Sequence, residues 1–214
     1  SRVKNIHVPK VKFLKKVIKE KIKVIDYGSG VGYFLKALEI KKIQAIGLET
    51  NKQSVKRGSK FLKKNKLFHC VFGDNSIFKK YSNDYNTLAL MGVLEHINPE
   101  SLLKEFKNSK LKYLYIAVPA LSLSVFLENV FYKVFPRVLS NGHTHLYTEK
   151  SLNYFAEKNN LKIIGEWWFG TDIPALFRSL LVSANYVDKK IYTEEINKIF
   201  KNTIDELQSV LDRN

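Results

Sequence analysis

The feature that most constrains the fold is a glycine-rich turn that directly follows a short apolar segment. The turn reads Asp-Tyr-Gly-Ser-Gly-Val-Gly over Asp26–Gly32, and Val24 and Ile25 precede it. Glycines at such a point let the chain turn tightly and let a ligand approach the backbone, while the following helix presents free N–H groups. A dinucleotide fingerprint would demand a small residue where Tyr33 stands, and no Gly-Lys-Ser/Thr closes the turn as a P-loop requires.

Short apolar strands alternate with amphipathic helices through the first half of the chain. The strands are predicted at 23–26, 43–48, 67–72, 87–91 and 111–118, and the helices at 31–40, 54–65 and 100–108. This alternation predicts an α/β, Rossmann-like, doubly wound and mostly parallel sheet with helices on both faces. Beyond it we expect a helical insertion or lid at about 119–147, a helix at 149–159, a sixth strand at Leu161–Phe169 and a helical tail at about 172–214. Since no linker or repeat interrupts the chain, we expect one domain over residues 1–214.

Acidic and glycine residues recur where the predicted strands end. Glu49 closes the second strand, Asp74 and Asn75 follow the third, and Met91-Gly92 leads from the fourth into Leu94-Glu95-His96. An acid about 20 residues beyond the first glycine can accept both hydroxyls of a ribose. Ligands of parallel sheets bind outside the carboxyl ends of the strands, so we expect these features to meet in one crevice.

With these motifs, the sequence from about residue 23 to 169 resembles the class I S-adenosylmethionine-dependent methyltransferases, particularly the branch with a Leu-Glu-His segment after the fourth strand. The resemblance implies S-adenosyl-L-methionine as cofactor and S-adenosyl-L-homocysteine as product. It also implies roles: the glycines pass the methionine part, Asp26 organises the loop near its amino group, Glu49 holds the ribose and Asp74 faces the adenine. The residues that it assigns to the cofactor are Asp26, Gly28, Ser29, Gly30, Gly32, Glu49, Asp74, Asn75, Met91, Gly92 and His96.

Two histidines are the candidates for catalysis. His143 and His145 lie in an Asn-Gly-His-Thr-His-Leu-Tyr-Thr stretch that precedes a helix with Thr148 at its N-cap. The stretch is similar to one that lies beside the acceptor pocket in this methyltransferase branch. One hypothesis makes either histidine the general base or the group that orients the acceptor, and the other makes it a loop residue bonded to the backbone. We expect no metal, because no nearby cysteine or carboxylate completes a site.

The net charge of +16 first suggests an anionic partner. The surplus consists of 31 Lys and only 5 Arg, and its runs fall on helix-like segments, which is typical of solvated surface. We therefore predict an anionic small-molecule acceptor, with a hydroxyl of a sugar, nucleotide sugar or polysaccharide precursor as the preferred target. Nucleic acid is disfavoured as the acceptor, because the fourth strand is not followed by an (Asn/Asp)-Pro-Pro-(Tyr/Phe) motif and no Arg-rich tract is present. RNA stays an alternative acceptor.

Two further alternatives stay open at this point. The apolar insertion from Leu121 to Phe135 favours a lipid or membrane-associated acceptor with peripheral membrane contact, unless it is a lid over the pocket. A noncatalytic, cofactor-binding partner protein is the alternative from another class. The lone Cys70, the charged opening residues and the lack of a stretch of about 20 apolar residues lead us to expect a cytoplasmic protein.

Overall fold

The structure is a computed structural model, and it describes residues 2–71, 74, 80–136, 138–139, 142–186, 190–200 and 202–212. Its backbone contacts cluster in two compact units, Ser1–Val118 and Pro119–Asn214. We describe each unit by itself. The expectation of a single domain over residues 1–214 stays a prediction.

The first unit alternates helices and parallel strands. It opens with a π-helical turn at Val3–His7 and contains a 3-10 turn at Leu94–His96. The strands are β1 Lys23–Tyr27, β2 Gln44–Glu49, β3 Lys66–His69, β4 Thr87–Met91 and β5 Tyr113–Ala117. The helices are α1 Val8–Val17, α2 Tyr33–Ile40, α3 Lys52–Phe61 and α4 Glu100–Lys107. These bounds agree with the predicted order of elements, although α2 begins two residues later and α3 ends four residues earlier than expected.

All five strands pair in parallel in the order β3-β2-β1-β4-β5. The central β1 is almost wholly buried, with Val24 and Ile25 at 0% exposure, as a strand covered on both faces requires. The chain runs outward from β1 to β3 and then returns to the other side of β1 as β4. This reversal places the topological switch point between the carboxyl ends of β1 and β4, where such sheets bind ligands.

Close packing holds α3 against the glycine turn. A Cβ at Gly58 of α3 would lie 2.8 Å from the carbonyl oxygen of Val31 and 2.5 Å from a methyl of Leu67. A Cβ at Gly47 of β2 would overlap Ser29 Oγ and a methyl of Leu35. Only glycine permits this approach, so both positions bring neighbouring elements directly against the turn.

The second unit is helical in the part that the structure describes. Its helices are α5 Leu123–Val130, α6 Glu149–Lys158, α7 Asp172–Tyr186, α8 Lys190–Phe200 and α9 Ile204–Leu211. An isolated bridge pairs Ala120 with Tyr147, and the Leu121 N–H donates to the Tyr147 carbonyl at 2.8 Å. The insertion thus leaves and returns at one point. Thr148 caps α6 as predicted, and Ser151, at the position where a capping box usually has a glutamate, completes a reciprocal capping box.

The predicted sixth strand at Leu161–Phe169 is wrong. The segment forms no strand, and only Trp168 occupies an isolated bridge position. A strand needs a neighbour with which to exchange backbone hydrogen bonds, and the described residues of the second unit contain no strand. Ile163 and Ile164 are 41% and 53% exposed, so the apolar run is not buried in this unit as the prediction assumed.

The fold class itself is confirmed as a Rossmann-like α/β sheet with a helical insertion and a helical tail. Within the described part of the chain, every helix is too short or too polar to cross a membrane.

Candidate cofactor site

The glycine turn between β1 and α2 adopts a backbone that glycine favours at three positions. Gly28, Gly30 and Gly32 have φ values of +72°, +55° and +81°. Gly32 is the N-cap of α2 and brings no side chain to the first N–H groups of that helix. A Cβ at Gly30 would meet no atom within 4 Å, so open space lies beside the turn. The amino end of α2 therefore offers backbone donors, and the turn leaves room for a ligand.

Glu49 joins the end of β2 to this turn. Its Oε2 accepts a 2.7 Å hydrogen bond from the Gly30 N–H, and its Oε1 accepts one of 2.7 Å from the Asn51 N–H. The side chain is buried at the carboxyl end of the strand. A carboxylate held by two amides keeps further lone pairs for hydroxyl donors.

Asp26, at the end of β1, is the least compensated group of the site. It is 0% exposed, and neither of its carboxylate oxygens has a hydrogen-bond partner. The Ser29 hydroxyl donates instead to the backbone carbonyl of Asp26, at 2.6 Å. Burial, reinforced by the nearby Glu49 carboxylate, raises the pKa of Asp26 to about 7. An unsatisfied buried carboxylate is costly and fits a cationic ligand group.

The segment after β4 packs against the glycine turn. A Cβ at Gly28 would lie 2.6 Å from Val93 Cγ2, so these two segments are in contact. Gly92, with φ +75°, donates its N–H to the Ala117 carbonyl at 2.8 Å. Met91 is half-buried, whereas His96 is exposed at the end of its 3-10 turn.

The predicted adenine residues lie beyond β3. Asp74 is exposed, with its N–H bonded to the Val71 carbonyl at 3.2 Å, and Asn75 lies outside the described residues. Cys70 follows β3 directly and is a buried free thiol, as expected for a small core residue. Burial raises the pKa of that thiol, which makes it a weaker nucleophile at neutral pH. The structure therefore brings together Asp26, the glycines, Glu49 and the start of the segment after β4.

Sequence reasoning missed the basic residues of the amino-terminal segment. The sequence predicts no function for His7. Its ring lies 6.1 Å from that of Phe34 and 6.3 Å from that of Tyr33, at the start of α2. Burial lowers the pKa of His7 to about 4, with Lys10 and Arg2 adding to the effect. Burial also lowers the pKa of Lys10, while Glu95 and Asp26 act in the opposite direction. No short motif marks these residues, so only the fold reveals His7 beside α2 and Lys10 near Asp26.

The candidate catalytic histidines belong to the second unit. His143 Nδ1 lies 2.9 Å from the Val138 carbonyl oxygen, and since that oxygen only accepts, Nδ1 carries the proton. In the neutral ring the basic nitrogen is then Nε2. His145 is exposed, pairs its Nδ1 with Thr144 Oγ1 at 2.7 Å and stacks on Tyr147 at 6.1 Å.

The residues of the first unit fit the nucleoside and amino acid parts of S-adenosylmethionine. The unpartnered Asp26 carboxylate suits an ammonium group, Glu49 suits a pair of vicinal hydroxyls, and the open space at Gly30 leaves room beside the backbone. None of these groups is a nucleophile that the fold has activated. The arrangement is suited to hold a ligand.

Comparison with known proteins agrees with this reading. A family model described as a methyltransferase domain matches residues 4–166. A search of curated protein sequences finds no significant match. The fold is similar to a SAM-dependent methyltransferase from Archaeoglobus fulgidus, with 18% identity, 76% of this chain and 71% of that chain covered, and a TM-score of 0.52.

Two further solved structures share the fold. The YcgJ protein of Bacillus subtilis is 15% identical, with 95% of this chain and 87% of that chain covered and a TM-score of 0.52. The plantazolicin methyltransferase BpumL, solved in complex with SAH, is 11% identical, with 86% and 78% covered and a TM-score of 0.53. At these identities the likeness concerns the fold.

Proposed function

Because the chain belongs to the methyltransferase domain family, we propose that its first unit binds S-adenosylmethionine and that the protein transfers the methyl group to a small-molecule hydroxyl. The observation that carries the cofactor assignment is the buried Asp26 carboxylate, whose oxygens have no hydrogen-bond partner. It lies beside a glycine turn whose Gly30 N–H donates to Glu49. The solved relatives include SAM-dependent enzymes and one SAH complex, which supports the same cofactor.

The chain's own residues bind and orient in this proposal. The cofactor supplies a methyl group already activated on a sulfonium, so the protein mainly aligns donor and acceptor, which is worth up to about 7–11 kcal/mol. Asp26 pairs with the methionyl ammonium and Glu49 accepts the ribose hydroxyls. The glycine turn, Met91 and Gly92 line the ligand, with Ser29 bonding the backbone behind Asp26. As the resemblance implies, Asp74 and Asn75 would face the adenine, and His96 would lie near the cofactor.

Titration with S-adenosylhomocysteine tests the cofactor assignment directly. We expect one binding site per chain by isothermal titration calorimetry, with no comparable heat from adenosine or NAD. Absence of binding, or equal binding of NAD, would contradict the proposal.

A hydroxyl acceptor needs a general base, and the second unit offers His143 and His145 for that role. The Val138 carbonyl supports His143, because its bond to Nδ1 fixes the tautomer in which Nε2 is basic. His145 stays the alternative base or an acceptor-orienting group. The preferred acceptors are sugars, nucleotide sugars and polysaccharide precursors.

Turnover of an acceptor panel, followed by S-adenosylhomocysteine release, tests the second step. We expect His143→Gln to lower turnover by more than tenfold while cofactor affinity changes by less than twofold. The matched variant His145→Gln distinguishes the two histidines. Cofactor binding without turnover of any acceptor would favour a noncatalytic partner protein, and unchanged turnover in both variants would remove the general-base assignment.

One observation favours a second candidate, an acceptor attached to a membrane. Several large apolar side chains of the insertion are exposed, notably Phe126 at 61%, Val130 at 68% and Phe135 at 69%. Phe126 and Val130 share one face of α5 and could lie in a lipid interface. Co-sedimentation with anionic liposomes tests this candidate. Binding that Phe126→Ser abolishes would support it, whereas no binding would favour the insertion as a lid.

A further inference from the structure

The charge surplus of the protein is confined to one part of the sequence. Residues 1–118 contain 25 Lys and Arg against 9 Asp and Glu, whereas residues 119–214 contain 11 of each. The first unit alone therefore carries the net charge of +16, and we expect an anionic ligand of the protein to bind to this unit.

Five of these lysines line a single open cavity of about 530 Å³. They lie where α1 and α2 end and β1 and β2 begin, so the cavity is at the amino-terminal edge of the sheet. The glycine turn lies at the opposite, carboxyl ends of the same strands. The lysines are Lys15, Lys19, Lys21, Lys41 and Lys42.

Carboxylates do not neutralise this cluster. Glu20 is the one acidic residue of the lining, and it is engaged elsewhere: Lys112 Nζ lies 3.2 Å from it and the Tyr113 hydroxyl donates to it at 2.7 Å. Among the residues that the structure describes, none of the five lysines forms an ion pair. A group of lysines without a counter-charge makes this surface favourable for an anionic ligand.

Lys42 occupies a backbone position that favours glycine. It is the residue after the C-cap of α2, with φ +57°. The Lys42 N–H donates to the Glu39 backbone carbonyl, and the Ile43 N–H donates to the Leu38 carbonyl. This is the hydrogen-bond pattern of a Schellman motif. Asn160 takes the same position after α6, with φ +53°, and asparagine tolerates that conformation better. Lysine at position 42 is thus at a conformational disadvantage relative to glycine.

We propose that this lysine pocket is an anion site for a compact ligand that bears several phosphate groups. Five ammonium groups match a ligand with several negative charges, whereas one phosphate would leave most of them unpaired. Lysines act as point charges without the bidentate geometry of arginine, and the lining contains no aromatic ring on which a base could stack. The site recognises phosphate charge, and it is separate from the glycine turn.

Inorganic tripolyphosphate is the probe, titrated into the full chain by calorimetry at low and at physiological salt. We expect one saturable site whose affinity falls as salt rises. Replacing two lining lysines, Lys41→Gln with Lys42→Gln, should weaken binding at least tenfold. The matched control Lys56→Gln with Lys60→Gln removes the same charge from exposed positions of α3 and should change affinity less than twofold. Equal weakening in both double variants, or no saturable binding, would overturn the proposal.

A single substitution separates the site from the fold. Lys42→Gly should raise the Tm of the free protein, because glycine relieves the left-handed backbone, and should also lower tripolyphosphate affinity severalfold. Asn160→Gly tests the equivalent backbone position and should leave that affinity unchanged. If Lys42→Gly binds tripolyphosphate as wild type does, Lys42 has no part in the site and the proposal fails.

Competition identifies the source of the phosphate groups. A nucleoside triphosphate presents phosphate groups on a free small molecule, and a deoxythymidine 20-mer presents them along a nucleic acid strand. Displacement of tripolyphosphate by the nucleoside triphosphate supports a site for a compact ligand. Displacement by the 20-mer alone would show that the lysines bind a nucleic acid strand instead and would contradict the proposal. Failure of both to compete would contradict phosphate recognition.

Discussion

At the scale of single residues, the proposed site depends most on Asp26. Its pKa near 7 in the folded protein lies above its ordinary value of 3.8, because burial disfavours the charged form. Between these two values the folded state keeps a proton that the unfolded state has released. The contribution of Asp26 to the free energy of unfolding therefore falls as pH rises from about 4 to about 7 and is level above that.

Asp26→Asn should remove this pH dependence. We expect the variant to have a higher Tm than wild type at pH 8, and the difference to shrink toward pH 4, because asparagine never carries the buried charge. Thermal unfolding across this pH range measures the effect. A Tm difference that stays constant with pH would show that Asp26 does not titrate as described.

The same substitution should stabilise the fold at pH 8 but weaken cofactor binding. An ammonium group binds the ionised carboxylate, so wild-type affinity for S-adenosylhomocysteine should rise about tenfold from pH 6 to pH 8. The Asp26→Asn variant should bind more weakly at pH 8 and lose that rise. Calorimetric titrations at the two pH values give both quantities, and an unchanged affinity in the variant would remove Asp26 from the site.

Glu49 offers a second test of the site. Glu49→Gln leaves one acceptor oxygen for the Gly30 and Asn51 amides and removes the charge that a ribose would contact. Charge-assisted hydrogen bonds are worth about 1.5–3 kcal/mol, so cofactor affinity should fall about 10- to 100-fold. Glu100→Gln, an exposed position of α4, removes the same charge and should bind as wild type does. Equal affinities of the two variants would contradict the ribose role.

Some residues of the site could be predicted from the sequence, and others could not. Asp26, the glycines and Glu49 occupy a motif with fixed spacing, so their meeting follows from the parallel sheet. His7 and Lys10 come together with α2 and the end of β1 only through tertiary packing. Their spacing in the chain carries no signal of that contact.

At the scale of elements, the packing of α3 on the glycine turn gives a further prediction. Alanine favours helix over glycine by about 1 kcal/mol, yet Gly58→Ala places a methyl 2.8 Å from the Val31 carbonyl oxygen. We expect overpacking to prevail and to destabilise the protein by about 1–3 kcal/mol, which lowers the Tm by several degrees.

Ser59→Ala is the matched control for Gly58→Ala, because Ser59 is the next residue of α3 and is exposed. It should change stability by less than about 0.5 kcal/mol. Chemical denaturation of both variants measures the difference. A Gly58→Ala protein as stable as wild type would mean that α3 can move away from the turn at no cost.

Element order could be predicted better than element ends. The strands of the first unit follow their apolar runs, but α2 starts late because Gly32 takes a left-handed backbone at its N-cap. Asn51 caps α3, with its side chain accepting the Ser54 N–H, which starts that helix before the predicted residue. The Leu161–Phe169 error has another origin, since periodicity describes a strand's faces and not whether a partner strand is present.

At the scale of the whole molecule, the charge of +16 has a different meaning from the one that composition suggested. The sequence alone favours solvated helix surface, because the lysine runs fall on predicted helices. The fold brings lysines from two helix ends and two strand starts to one cavity. Some of them, such as Lys15 and Lys42, are far apart in the sequence. Such a cluster depends on topology and therefore escapes a reading of local runs.

The bridge between Ala120 and Tyr147 has a consequence for how this protein can change in evolution. Because Ala120 pairs with Tyr147, the two ends of segment 122–146 meet at one point within the second unit. Closing a longer or shorter loop there changes the entropy of closure only slightly, about 0.6 kcal/mol per doubling of length. The length of this segment could thus change in evolution at little cost to the stability of the rest of the chain.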